Sequence, residues 1–425
     1  MPRASIWKQA LGLSKTTIER VDAEQDTNTT GDSDTRLVIH VRPTRSARSR
    51  CPHCWRRCPG YDQGPGRRRW RAHDAGLIVV YLEADTPRVT CREHGVIVAL
   101  VPWARHDAGH TLAFDDQVAW LATHTTKSTV SKLMRIAWRT VGAIIARVWT
   151  DVEATTDRFA SLRRIGIDEI SYKRGHRYLT VVVDHDTRRL LWAADGRNTH
   201  TLRTFFDILG PERSALITHV SADAAEWIAT VVTERCPDAL LCADPFHVVK
   251  WATDALDTVR REHWNTARAG TGKTTTASKS LKRVRWALWK NPEDLTSDQH
   301  TKLAWIEQTH PRLYRAYLLK EGLRTVFALA KTSLDDAVEA LDRWISWARR
   351  CRIPTFTALA KTIVKHRTTI LAAIKHGMSN GLIESTNTKI RVITRMAYGF
   401  ADPQHLIALA MLTLSGHCPP LPGRN

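Results

Sequence analysis

The sequence has no apolar run long enough to cross a bilayer. Its longest, such as Leu77–Leu82 and Val96–Val101, have the length of strands. The opening MPRASIWKQALGLSKTT carries no apolar segment of signal-peptide length, so no secretory leader is expected. Cysteine is scarce: eight in 425 residues, with no secretory signal, do not outline a disulfide framework. A reducing, cytoplasmic setting is expected instead, in which clustered thiols are metal ligands. Acid is short as well. Against 63 Lys and Arg stand 43 Asp and Glu, a net charge of +20, and the pI is about 10.0. Such a surplus makes a polyanion the first partner to consider, because each neutralised phosphate releases counterions. No repeat of solenoid period is present. A complete phosphate-binding loop is missing too. Gly270-Thr271-Gly272-Lys273-Thr274 resembles the end of one, but the glycine required five residues before Gly272 is Ala267 and no buried strand precedes it.

What is there divides into blocks. Residues 1–110 hold short β-branched runs, Thr16–Val21, Thr35–Val41 and Leu77–Glu83, between Gly/Pro/Asp/Arg-rich turns. Residues 111–160 change to helical periodicity. Residues 161–250 alternate strands with helices. Residues 251–376 read as almost wholly helical, and residues 377–425 carry a last helical segment. Ala267–Ser280 reads as an exposed linker.

Two cysteine-bearing turns stand out in the first block. Cys51-Pro-His-Cys54 is a CxxC and Cys91-Arg-Glu-His94 a CxxH, each beside a strand-like run. A gap of two residues lets one tight turn aim both side chains at one ion, and thiolate with imidazole suits tetrahedral zinc. One structural Zn²⁺ on Cys51, Cys54, Cys91 and His94 is the expectation, with His53 and Cys58 as substitutes. Arginines surround the site, Arg67, Arg68 and Arg69 among them, as phosphate contacts require.

After Pro102, three short helices are expected. They are Phe114–Ala122, Thr129–Ile136 with Ser128 as N-cap, and Thr140–Val148. Short helices joined by turns make a helix-turn-helix, with the third laid in a DNA groove. Lys127, Lys132, Arg135, Arg139 and Arg147 are the expected DNA contacts.

The fourth feature is a set of carboxylates. Arg164–Ile170 reads as a buried strand with Asp168 at its end, followed by strands Tyr178–Asp184 and Arg189–Ala194. A helix, Thr201–Leu209, leads to a fourth strand, Ala215–Val220, running into Asp223. A second helix, Ala224–Glu234, leads to a fifth, Ala239–Ala243, running into Asp244. This strand and helix order is that of an α/β RNase H-like fold, in which the first and fourth strands are neighbours. Acids at their ends therefore converge, and converging carboxylates repel unless divalent cations share them. Asp168 and Asp223 are taken as the strand pair, with Glu384 as the third acid from a later helix. They would hold two Mg²⁺ (or Mn²⁺) ions for in-line phosphoryl displacement. Should Asp223 instead cap a helix, Asp244 is the second acid. Glu169, Asp184, Asp186 and Asp195 read as turn or surface residues.

These strings together resemble the ISL3 group of bacterial insertion-sequence transposases and, more distantly, the Mutator-like enzymes. The specific matches are Gly166-Ile-Asp168-Glu169, DPFHVVK from Asp244 to Lys250 and NGLIESTN from Asn380 to Asn387. Leu281-Lys-Arg-Val-Arg-Trp-Ala-Leu and Asn291-Pro-Glu-Asp-Leu-Thr match as well. The resemblance implies a DDE-type transposase that binds the inverted ends of its element, cleaves there and joins the 3′-OH to target DNA. It also implies a supporting role for Asp244 and His247, which match a D/C-x-x-H pair following the second acid. Asn380 and Asn387 are placed beside them. His94 departs from the cysteine usual at the end of the second knuckle, and still ligates zinc.

The architecture expected is thus an α/β RNase H-like core interrupted by an all-α insertion, after a zinc-binding β domain and a helix-turn-helix. Tryptophans recur along the insertion at Trp251, Trp264, Trp286, Trp289, Trp344 and Trp347, beside the basic Lys282, Arg283, Arg285 and Lys290. Lys389, Arg391 and Arg395 on the Glu384 helix are candidates for strand phosphates. The expected setting is a bacterial, nucleoid-associated homodimer on double-stranded DNA, with no membrane. Two rivals are a non-catalytic DNA-binding regulator derived from a transposase and a plain metal-dependent nuclease.

Overall fold

The computed structural model describes residues 2–27, 33–269 and 276–424, and the chain forms two compact units. One comprises Met1–Asp157 with Arg395–Asn425, the other Arg158–Thr394. The residues of the incomplete phosphate loop, 270–274, lie outside the described set.

In the first unit a short helix, α1 (Pro2–Ala10), precedes the long hairpin β1 (Thr16–Thr27) and β2 (Ser33–Pro43). Then come β3 (Gly60–Asp62), β4 (Arg67–Arg71), β5 (Val79–Asp85), β6 (Arg88–Cys91) and β7 (Gly95–Val98). Two sheets result, in the orders β1-β2-β5-β4 and β3-β6-β7. The larger is held by one apolar face, where Ile39, Val41, Trp70, Val80 and Leu82 close over Trp103. The smaller has almost no core beyond Cys51, Cys58, Val89, Cys91 and Ala99. A sheet that small needs a staple such as a metal.

Three helices follow: α2 (Leu112–His124), α3 (Lys127–Met134) and α4 (Trp138–Thr155). Their starts differ from the sequence reading. The N-cap of α3 is Thr126, not Ser128, because the Thr126 hydroxyl accepts the Thr129 N–H at 3.1 Å. Arg135 then enters the left-handed region (φ 52°) and ends the helix before Ile136.

The second unit is built on a five-stranded sheet of β8 (Arg164–Lys173), β9 (Arg177–Asp184), β10 (Leu190–Asp195), β11 (His219–Ala222) and β12 (Leu240–Ala243). Its order is β10-β9-β8-β11-β12. The β8–β9 and β9–β10 pairs are antiparallel, and β11 lies parallel between β8 and β12. The expected adjacency of first and fourth strands is therefore present. The fourth strand is shorter than expected: Pro211–Ser214 and Ala215 are helical, and the chain becomes extended only at His219. Between the strands run α5 (Thr199–Leu209), α6 (Pro211–Ser214) and α7 (Glu226–Arg235). Phe205, Phe206, Ile228 and Val231 pack with Ile165, Ile167 and Val220 in the core of this layer.

The insertion begins earlier than residue 251, inside α8 (Pro245–Ala269), so the helix leaving the fifth strand is continuous with it. It continues as α9 (Thr276–Arg283), α10 (Arg285–Trp289), α11 (Ser297–Thr309), α12 (Pro311–Leu329), α13 (Leu334–Arg350), α14 (Pro354–Lys365) and α15 (Arg367–His376). These helices share one apolar core, from Val248 through Leu319 and Trp344 to Ile374. The chain then returns as α16 (Gly381–Met396), which carries Glu384 in its first turn. The last helix, α17 (Pro403–Leu414), is apolar nearly throughout and packs on α4 and α2 in the first unit.

Candidate functional site

The parallel register of β8, β11 and β12 sets the geometry of the acids. Ala222 pairs with Ile167 on one side and with Ala243 on the other. Asp168, Asp223 and Asp244 are each the next residue, so three aspartates on three neighbouring strands stand at one level. At that level the Asp244 N–H donates to the Ala222 carbonyl at 3.0 Å. Asp168 is not at a strand end, as the sequence suggested, because β8 runs on to Lys173 in its pairing with β9. It is at the end of the parallel pairing, which is what counts for the site.

The electrostatics follow from this crowding. The Asp168 carboxyl is pushed up to about 6, by burial first and then by the charges of Asp223 and Asp244. Asn387 on α16 donates from Nδ2 to Asp168 Oδ2 at 2.8 Å. Asp244 is almost wholly buried. It accepts from the Asn380 N–H at 3.1 Å and pairs with His247 Nδ1 at 2.8 Å. That partnership raises the pKa of His247, the more so because Asp223 and Asp168 lie near. Glu384 is half-buried, and its pKa is raised by burial and by Asp244. Two amides remain incompletely satisfied: both side-chain atoms of Asn380, which is fully buried, and Oδ1 of Asn387. Buried amides rarely stay orphaned, so these atoms point to a ligand or ordered water.

Gly166 explains how α16 comes so close. A Cβ there would meet Ile383 Cδ1 at 2.4 Å and His185 Nε2 at 2.9 Å. The helix that brings Glu384 and Asn387 thus packs directly on the first strand through a position where any side chain would have to displace Ile383 and His185. Asp168, Asp223, Asp244, His247, Asn380, Glu384 and Asn387 all belong to the second compact unit. Their ligand atoms do not gather within 4.8 Å of one another. Among the described residues, the group that does so is the zinc set below.

Glu169 is not a surface acid: its carboxylate accepts from Trp227 Nε1 at 3.0 Å and pairs with Arg197 at 2.8 Å. It thereby clamps β8 to the start of α7, just after Asp223. An acid next to Asp168 was visible, but the indole across the fold was not.

Cys51, Cys54, Cys91 and His94 converge with all ligand atoms within 4.8 Å of one another. Cys54 Sγ lies 3.6 Å from Cys91 Sγ, and His94 Nδ1 lies 3.7 Å from Cys51 Sγ and 3.5 Å from Cys91 Sγ. Ligands of a tetrahedral zinc with bonds of 2.0–2.3 Å sit about 3.5–3.8 Å apart, so these residues fit the ion. The Cys91 thiol is lowered to about 6, chiefly by its hydrogen bond with His94, which favours the thiolate that zinc needs. Cys58 and His53 fall outside this set. The second knuckle is the turn of the β6–β7 hairpin.

The expected DNA contacts divide into two groups. Lys132, Arg139, Lys389, Arg391 and Arg395 are exposed and enter no ion pair among the described residues. The others are engaged. Lys127 is 3% exposed, with its ammonium 3.6 Å from the centroid of Trp138, and is thus a buried residue rather than a phosphate contact. Arg147 grips the buried Asp115 through two hydrogen bonds of 3.0 and 3.1 Å. Arg67 and Arg69 share Glu83, Arg69 also takes Glu24, and Arg68 donates to the Ala108 carbonyl. Arg135 donates to the Leu77 carbonyl at 2.9 Å. Neutralised or buried cations of this kind hold the domain together before they meet any phosphate.

Three family models match successive parts of the chain. Residues 47–94 match the zinc-finger of transposase IS204/IS1001/IS1096/IS1165. Residues 99–149 match the helix-turn-helix domain of transposase family ISL3, and residues 165–410 match the DDE transposase family of the same group. The transposase for insertion sequence element IS1557 of Mycobacterium tuberculosis, in strains CDC 1551 / Oshkosh and ATCC 25618 / H37Rv, is 59% identical over all of this chain and 98% of its own length. The transposase for insertion sequence element IS1001 of Bordetella parapertussis is 26% identical over 91% of this chain and 92% of its own. With its zinc ribbon, its helix-turn-helix and its DDE domain in that order, the chain belongs to the ISL3 family of transposases.

Proposed function

We propose that the protein binds the terminal inverted repeats of an insertion sequence, cleaves the ends and joins the freed 3′-OH to target DNA. The observation that carries this reading is the row Asp168, Asp223 and Asp244 on three parallel strands, faced by Glu384 and Asn387 from α16. The strand order β10-β9-β8-β11-β12 supports an RNase H-like core.

Asp168, Asp223 and Glu384 are the residues we assign to hold divalent metal. A donor set of hard carboxylate oxygens suits Mg²⁺ or Mn²⁺. When bound, a pair of such ions activates the attacking oxygen and stabilises the leaving one in an in-line displacement. The side chains do the rest. Asn387 holds one oxygen of Asp168 and the Glu169 N–H donates to the other at 2.7 Å, so the carboxylate is fixed in orientation. Asp244 orients His247 and, through the Asn380 N–H, sets the start of α16. His247, tethered to Asp244 through Nδ1, has its other ring nitrogen left to meet the DNA. The same site serves first with water and then with the 3′-OH as nucleophile, so no covalent protein–DNA link is needed.

The helix-turn-helix of α2, α3 and α4 reads the end sequence, with Lys132 and Arg139 free to contact the duplex. Lys389 and Arg391 take phosphates of the strand at the acids. The Cys51, Cys54, Cys91 and His94 zinc stiffens the head. Bringing two ends together makes a homodimer the working form, on bacterial nucleoid DNA. The test is incubation with Mg²⁺ on labelled DNA bearing the element's own terminal repeats, beside Asp168→Ala and Glu384→Ala. Nicks at the repeat ends with joined products, lost in both variants while binding survives, are expected. Binding with no cleavage in Mg²⁺ or Mn²⁺ would replace this reading with that of a DNA-binding regulator.

A further inference from the structure

The tryptophans of the insertion fall into two classes. Trp344 is buried and donates its indole N–H to the Leu319 carbonyl at 2.7 Å. Trp251, Trp264 and Trp289 are half-buried against the helical core. Trp286 is the opposite case. It is 59% exposed, against 38% for Trp347.

Its exposure is not that of a frayed end. On either side Leu281, Val284, Ala287 and Leu288 are buried in the core of the insertion. The turn after α10 is pinned as well. The Lys290 carbonyl accepts from the buried Lys320 Nζ at 3.2 Å, and Glu293 takes Arg324 in two hydrogen bonds of 2.7 and 3.0 Å. A rigid element therefore holds an indole out in water.

What surrounds the indole says what it meets. The Arg285 guanidinium lies 3.9 Å from the Trp289 ring centroid and 5.4 Å from that of Trp286, and the two rings stand edge to face at 5.8 Å. Lys282, Arg283 and Arg285 are exposed and enter no ion pair among the described residues. Cations alone would serve a duplex backbone. Duplex bases are stacked on one another and offer no face to an indole. An exposed indole among unpaired cations is the pattern that single-stranded nucleic acid uses, since each base has a π face and each nucleotide a phosphate.

We propose that Trp286, braced by Arg285, is a stacking platform for an unpaired base of a DNA strand, with Lys282 and Arg283 on its phosphates. This rests on the reading that DNA is the substrate, and adds that the protein holds part of it unpaired.

The test uses the full chain with no added divalent metal, so that cleavage plays no part. Fluorescein-labelled 15-mer oligothymidylate and a duplex of equal length carrying the terminal repeat are titrated by anisotropy. Trp286→Ala is expected to weaken single-strand binding roughly tenfold, the scale of one stacked base, and to leave duplex binding unchanged. Trp286→Phe should keep most of the affinity and Trp286→Leu should lose it, because stacking needs a ring where plain apolar contact does not. Equal single-strand affinity across wild type and these variants overturns the platform, as does an equal loss on both probes. Binding of the duplex alone by the wild type also overturns it, while leaving the transposase reading intact. Binding of neither probe overturns both. A change in sedimentation of Trp286→Ala with DNA binding unaltered would assign the indole to a contact between copies of this chain.

Discussion

Asn387 donates to Asp168 across 219 positions of sequence, at 2.8 Å, and in doing so docks the helix that carries Glu384 onto the strand that carries Asp168. Removing the amide should loosen that docking without touching the DNA-reading helices. Asn387→Ala is expected to slow end cleavage by about 10–100-fold, the usual range for a group that orients a metal ligand, with repeat binding unchanged. Asn387→Asp should do no better, since a carboxylate there repels Asp168. A variant that cleaves at the wild-type rate would remove Asn387 from the site.

Asp223 and Asp244 occupy the same level on adjacent strands, and substitution separates their roles. Asp223→Asn should leave no detectable cleavage. Asp244→Asn keeps an acceptor for the Asn380 N–H and should retain a reduced rate, about 10–100-fold down. The reverse ranking, measured on a labelled repeat end, would make Asp244 the second metal-binding acid.

The three-stranded sheet around the cysteines has little core of its own, so its order should depend on metal. Purified protein is expected to carry a single zinc by elemental analysis and to lose it in Cys91→Ser but not in Cys58→Ser. A strong chelator should lower the thermal midpoint of the wild type. Zinc retained by Cys91→Ser, or lost from Cys58→Ser, would redraw the ligand set.

Asp115 has no exposed surface and faces both Arg105 and Arg147. Taking it away strands the Arg147 guanidinium, whereas Arg105 keeps Asp116 and Asp151. Asp115→Ala should therefore destabilise the first unit by about 1.5–3 kcal/mol, read as a fall in the urea midpoint. A loss under about 1 kcal/mol would mean that Arg147 finds water instead.

Lys127 gives a pH dependence with a definite sign. Burial pushes its pKa down to about 8 from the ordinary 10.5. Its folded value lies below its unfolded one, so the charged form is disfavoured by folding. That penalty is complete below pH 8 and is relieved as pH rises from about 8 to about 10.5. Relative to Lys127→Met, the wild type should gain stability across this window. Urea midpoints that keep a constant difference across it would show that Lys127 reaches water.

Much of the catalytic unit was legible because a parallel strand buried on both faces reads as an unbroken apolar run, and Asp168, Asp223 and Asp244 each end or interrupt such a run. Cys51-x-x-Cys54 and Cys91-x-x-His94 were equally plain, since their spacing is itself the geometry. Cations were harder. Whether a lysine such as Lys127 lies under a tryptophan, or Arg147 over a buried aspartate, depends on partners from other elements, and local sequence carries no trace of that. The same holds for Glu169, whose indole partner is 58 residues away. The start of α3 was displaced because Thr126 and Ser128 are both competent caps, and only the backbone decides between them.

The hydrogen bond from the Asn380 N–H to Asp244 closes a loop of 136 residues at its base. Between these residues α8 to α14 build the helical core, and the chain returns to this doorway by α15, which packs on β12 with His376 against His219. An excursion tied off in this way can lengthen, shorten or change its cargo while the doorway stays shut, and the acids on either side would not feel the change. The middle of the insertion is thus the part of this enzyme that is free to diversify, and a shorter helical hairpin grafted between α8 and α15, with His247 and the packing on β12 kept, should leave the carboxylates where they are.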